Sequence, residues 1–346
     1  MDANAAIRSK TRALAGEYLG AEDLDHILSA QDLAECLERI RSVYPIDPEE
    51  PADATAFQRA LVLWYNQELG DLLPYLTTKE HRFFRDYLLI GELDELRRYL
   101  ELLRSGEELD RLHFVRQAAY ADLLHFEKGR SEHLIDFLKK QRGRPYFRAL
   151  EPYTRGNLAK EALDLKILEL NLDRWYYHTL FHDLEGLGQA GEGLRAYYGV
   201  VIDLRMIRLL LHGKLLHQHD SNYWSAYLMD GGKVVKNGQA QLLLELDFRS
   251  MERWIEKSPY RSLLEGGHIS PFTPIQEQRI LHRIAHQGFH RERHNLLAAF
   301  YFAELLQGRM RDLRRIIEAK ELGLEKEEIR PYLVEGEGPE PSGERG

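Results

Sequence analysis

The stretch AFQRALVLWYNQEL, residues 56–69, decides the fold class. Phe57, Leu61, Tyr65 and Leu69 recur every four residues, with Arg59, Asn66 and Glu68 between them. That spacing gives a helix one apolar stripe and one wet face. The same period runs through Ala162, Leu165, Leu168, Leu172 and Trp175, and again through Leu313, Ile316 and Ile317. Strand-like alternation is nearly absent. Only Lys233–Val235, after the turn Asp230-Gly231-Gly232, reads as a short extended piece. The chain reads as all-α.

Between the helical stretches, Pro, Gly and Asp gather at 42–53, 141–156, 182–194, 227–239 and 257–274, and each group is a helix stop. The final residues, 335–346 (EGEGPEPSGERG), hold no apolar side chain and read as a disordered tail.

At 346 residues the chain exceeds one average core, so several packed units are expected. Its 47 Lys+Arg against 56 Asp+Glu give a net charge of −9, which argues against a nucleic-acid partner. One cysteine, Cys36, excludes an intrachain disulfide and a thiolate metal cluster, and a reducing cytoplasm is the expected setting. The longest apolar run is the eight residues 296–303, too short to span a bilayer. Residues 1–16 show no apolar stretch of signal-peptide type. Membrane association is therefore expected only through protein partners.

A longer period also emerges. Three amphipathic helices end in a Tyr beside Pro: LAECLERIRSVYP (Tyr44), HLIDFLKKQRGRPY (Tyr146) and MERWIEKSPY (Tyr260). Each precedes an aromatic-led helix in which an apolar residue comes just before Arg: Leu96-Arg97, Ile207-Arg208 and Leu313-Arg314. The intervals from Tyr to Arg are 53, 62 and 54 residues, while Trp64 and Trp175 stand 111 apart, as do Tyr87 and Tyr198. This order predicts a triplicated helical unit over 1–108, 109–225 and 226–334, with the N-terminal helices free to pack on the last unit. Net charge is −10 over 1–108, +2 over 109–225 and −1 over 226–346, so the acidity sits in the first unit.

These residues resemble the C subunit of the archaeal and bacterial V/A-type ATPases, whose counterpart in eukaryotic V-ATPases is the d subunit. The stretch 303–333, AELLQGRMRDLRRIIEAKELGLEKEEIRPYL, is similar to the family's closing helix, its Lys-x-x-Gly-Leu break and its last short helix. IDLRMIRLLLHGKLL (202–216) resembles the middle segment, MERWIEKSPYRSLL (251–264) the recurrent helix-to-Pro-Tyr element, and residues 6–40 the opening helix pair. The likeness runs from residue 6 to about 333. Where the family has Asn before the apolar-Arg pair, this chain has Glu95, Met206 and Asp312; the acid three residues earlier is Arg309 in the third unit.

What the resemblance implies is a funnel-like array of three similar helical domains. It would be a non-catalytic socket in the central stalk of a rotary ATPase, peripheral on the cytoplasmic face. It would link the shaft, made of the D and F subunits, to the membrane rotor ring of c/K subunits, and so couple ATP chemistry to H+ or Na+ transport. The alternative is a free-standing helical scaffold, and a third reading is a metalloprotein built on a histidine stripe.

That stripe is His282, His286, His290 and His294, spaced to share one helix face. No HExxH pattern accompanies it, no carboxylate shares that face between the histidines, and Arg283, Arg291 and Arg293 crowd positive charge nearby, so it reads as a solvated or partner-facing row. The segment His217-Gln218-His219-Asp220 reads as a polar turn, and Gly231-Gly232-Lys233 lacks the rest of a phosphate loop. The chain also has no Gly-x-Ser-x-Gly element. No catalytic residue, cofactor or metal ligand is assigned. Arg97, Arg208 and Arg314 are the candidate partner-binding residues, because they recur at one place in each unit; on a helix the plainer role for such an Arg is pairing with a neighbouring helix.

Overall fold

The computed structural model describes residues 3–48, 53–105, 139, 141–154, 165–216, 224–225, 227–270, 273–291 and 294–335. The helices are α1 (Ala3–Tyr18), α2 (Ala21–Leu28), α3 (Leu33–Val43), α4 (Ala54–Gly70), α5 (Thr78–Ser105), α6 (Phe147–Thr154) and α7 (Leu165–Leu184). They continue with α8 (Gly188–Leu216), α9 (Asn237–Glu245), α10 (Phe248–Glu256), α11 (Thr273–Arg291), α12 (Asn295–Glu321) and α13 (Lys326–Ile329). The fold is all-α.

The apolar stripe of α4 is core: Phe57, Leu61 and Leu69 are fully buried and Tyr65 nearly so. Helix starts follow the polar caps. Asp32 accepts from the Glu35 amide at 2.8 Å, and Asp247 accepts from the Ser250 amide at 2.7 Å. Gly323, at φ 74°, ends α12 in the left-handed region that favours glycine.

Two findings differ from the sequence reading. Lys233–Val235 is not a strand but a bend, because the amides of Val234 and Val235 are drawn to the buried carboxylate of Asp203. The stop at 257–274 holds a small antiparallel hairpin, β1 (Leu264–Glu265) with β2 (His268–Ile269). Gly266 and Gly267, both at positive φ, make its two-residue turn.

The chain divides into two compact units, one of Met1–Tyr65 with Gln189–Gly346 and one of Asn66–Gly188. In the first, α12 is the axis, packed by α11, α1 and α3. Most of its side chains are buried, as expected of a helix surrounded on all sides. Close approach depends on missing Cβ atoms. A Cβ on Gly288 of α11 would stand 2.5–2.8 Å from three ring atoms of Tyr301, and one on Gly193 of α8 would stand 2.8 Å from Leu297. In the second unit α5 packs on α7, and α6 packs on α7 as well. The long helices α5, α8 and α12 have 28, 29 and 27 residues.

Candidate functional site

The three Pro-flanked tyrosines are among the most deeply buried side chains of the described residues, and each phenol meets a polar group on a long helix. Tyr146 donates to Glu92 Oε1 on α5 at 2.7 Å. Tyr260 donates to Asp203 Oδ2 on α8. Tyr44 donates to the Tyr18 carbonyl at 3.0 Å and accepts from Arg309 Nη1 on α12 at 3.2 Å. Glu92, Asp203 and Arg309 stand three residues before Glu95, Met206 and Asp312. Each long helix therefore presents its buried polar group at the same place along its length.

The three hubs differ in chemistry. Asp203, with no exposed surface, also accepts from the amides of Val234 and Val235, both at 2.8 Å. Its carboxylate thus satisfies two loop amides and one phenol together. On α12 those tasks are split. Asp312 accepts from the amides of Val334 and Glu335 at 2.7 and 2.9 Å. Arg309, completely buried, faces the tyrosine and is neutralised by Glu335 through bonds of 3.0 and 2.6 Å. Burial pushes Asp312 up to about 6, against the pull of the two amides and Arg315. Burial likewise raises Glu92, whose second oxygen has no hydrogen-bond partner. Groups this enclosed fasten helices to one another.

The candidate arginines fall at the twentieth or twenty-first residue of their helices. Arg97 of α5 bonds Asp173 of α7 at 2.5 Å and Asp94 at 2.6 Å. Arg208 of α8 is ion-paired with Glu277 of α11, yet its side chain keeps 46% exposure. Arg314 is partly buried on α12. Arg97 and Arg208 thus each join a long helix to a helix of the following unit of the expected repeat.

The histidine row is unequal. His286 and His290 are exposed, their Nε2 atoms 3.2 Å apart, whereas His282 turns inward and its Nδ1 lacks a partner. Burial lowers His282 and His286, which favours the neutral rings. His294 precedes α12. Among the described residues no group of three or more His, Cys, Asp or Glu could hold a metal ion. Arg293 and residues 217–220 lie outside the described residues. So do residues 336–346 of the expected tail, while its first residue, Glu335, is fastened by Arg309. Cys36 is buried, which pushes its thiol up to about 12 and leaves it inert near neutral pH.

One further acidic pair lies in the second unit. The Asp183 carboxyl of α7 is buried beside Asp86 of α5 and bonded by Arg82 at 2.9 Å. Burial and the neighbouring carboxyl push it up to about 6. A raised acid stabilises the fold fully below its unfolded value near 3.8, and that contribution is lost as pH rises through about 6. In Asp183→Asn, thermal melts of the full chain should therefore show a flatter pH dependence between about 4 and 6 than the parent.

Sequence reasoning found the tyrosines but missed Glu92 and Asp203, because acids on amphipathic helices are ordinarily the wet face. The signal that could have found them is their separation of 111 residues, which equals that of Trp64 and Trp175. No individual curated protein matches the chain significantly. A profile of the ATP synthase (C/AC39) subunit family matches residues 7–332, a span that takes in every tyrosine hub and candidate arginine. With that match on an all-α fold, the chain belongs to the ATP synthase (C/AC39) subunit family of the V/A-type ATPases.

Proposed function

We propose that this chain is the non-catalytic socket of the central stalk, joining the shaft of D and F subunits to the membrane rotor ring of c/K subunits. Shaft rotation would pass through it to the ring, which couples ATP hydrolysis or synthesis to movement of H+ or Na+. The observation that carries this reading is the family match over 7–332. It sits well with a chain in which no described helix is long and apolar enough to cross a membrane. Attachment at the cytoplasmic face would then be made through protein partners, with no nucleic acid involved.

The same proposal includes three repeated units, over 1–108, 109–225 and 226–334. What supports them is the recurrence of a buried tyrosine against a long-helix polar group. The third repeat would be completed by the N-terminal helices, since Tyr44 meets Arg309. Arg97, Arg208 and Arg314 are the candidate arginines proposed to face a partner.

Membranes from cells lacking this chain test the role. ATP hydrolysis by the catalytic head should persist while ion pumping falls to background, because nothing transmits torque to the ring. Pumping at the normal ratio to ATP hydrolysed would reject the socket.

A further inference from the structure

Arg309 stands where the other long helices carry an acid. An acid at a tyrosine hub needs only donors, whereas a fully buried guanidinium needs an anion. The anion is Glu335, and Glu335 belongs to a segment folded against α11 and α12. Asp312 holds that segment by the amides of Val334 and Glu335. Arg279 of α11 holds it by the carbonyls of Pro331, at 3.1 Å, and Leu333, at 2.8 and 3.0 Å. Leu333 is fully buried and Val334 nearly so.

Arg309 simultaneously grips the other end of the chain. Beyond Tyr44, it donates to the carbonyls of Tyr18 at 3.2 Å and Gly20 at 3.1 Å. These three acceptors are neutral and fix the turn from α1 to α2 and the end of α3. A second tie runs alongside, in which Lys326 and Arg330 bond Asp25 of α2 at 2.8 and 2.6 Å.

We propose that residues 330–335 are a latch: by supplying Glu335 to Arg309 they make the closure of α1–α3 onto α12 conditional on this segment being seated. With the segment displaced, Arg309 must either stay buried without a counter-ion or swing out. Swinging out surrenders Tyr18, Gly20 and Tyr44 together. Whatever draws the segment from its groove therefore loosens the N-terminal helices. The inference concerns this chain alone and stands whether or not the socket reading does.

Amide hydrogen exchange on the full chain decides it, comparing α1–α3 with α10 of the same unit. Glu335→Gln keeps the shape and removes the charge, and should speed exchange in α1–α3 at least fivefold relative to the parent, with α10 changed less than twofold. Arg309→Met surrenders the bonds to Tyr18, Gly20 and Tyr44 outright, so adding it to Glu335→Gln should change exchange in α1–α3 by less than about twofold beyond the faster single variant. The latch is overturned by a smaller acceleration in Glu335→Gln, or by equal acceleration in α10. A double variant in which the two accelerations multiply overturns it too, since Glu335 would then act independently of Arg309.

Discussion

Asp203→Ala should lower the stability of the unit containing α8 by about 3–9 kcal/mol. It strands the amides of Val234 and Val235 and the Tyr260 phenol in a buried site, at about 1–3 kcal/mol for each unsatisfied group. Against a total of about 5–15 kcal/mol for a typical domain, that is a large part of the margin. Urea melts should show an early transition, and exchange at Val234 and Val235 should lose its protection. Tyr260→Phe removes one donor and strands none of the others, so it should cost only about 1 kcal/mol. If Asp203→Ala and Tyr260→Phe cost the same, the loop amides are not held by this carboxylate. Gly232 belongs to the same prediction, because a Cβ there would collide with Asp203 Oδ1 and the Val235 carbonyl.

Gly288→Ala should destabilise the same unit by about 1–3 kcal/mol, the cost of forcing an added methyl into a packed contact. Helix propensity alone predicts the opposite, a gain of about 1 kcal/mol for alanine over glycine. The steric effect wins because the new methyl would sit 2.5–2.8 Å from the ring of Tyr301. That ring has little room to retreat: it is edge-on to Tyr197 at 6.2 Å and to Phe300 at 5.5 Å. Circular dichroism during thermal unfolding would measure the sign. A raised melting temperature would mean that Tyr301 swings aside freely.

Gly288 also shows where sequence reasoning stops. Read alone, it weakens a helix that carries a row of histidines; its purpose depends on Tyr301 of the next helix, which no local pattern announces. Helix positions and core faces are legible because the fourfold recurrence of Phe57, Leu61, Tyr65 and Leu69 is a property of one segment. The tyrosine at each Pro-flanked stop is legible for the same reason. The partners of those tyrosines are not. Asp203 looks like any wet-face acid until the loop at 233–235 folds over it, and that loop reads as extended because its amides have no partner nearby in sequence. Glu335 reads as tail on composition, since nothing local signals that a cation 26 residues earlier is waiting for it.

The tie between Tyr44 and Arg309 also sets an order of events at the ribosome. The nested unit of Asn66–Gly188 is complete as soon as its own residues have emerged, and can fold while synthesis continues. The first three helices cannot finish, because α12 is made much later. At about 5–20 residues per second, the 265 residues separating Tyr44 from Arg309 take roughly 13–53 s to translate. For that interval Ile7, Ile27 and Ile40, all fully covered in the finished fold, lack the α12 face on which α1 and α3 pack. The nascent chain should therefore engage a chaperone at its N-terminal helices and be released only after α12 clears the exit tunnel.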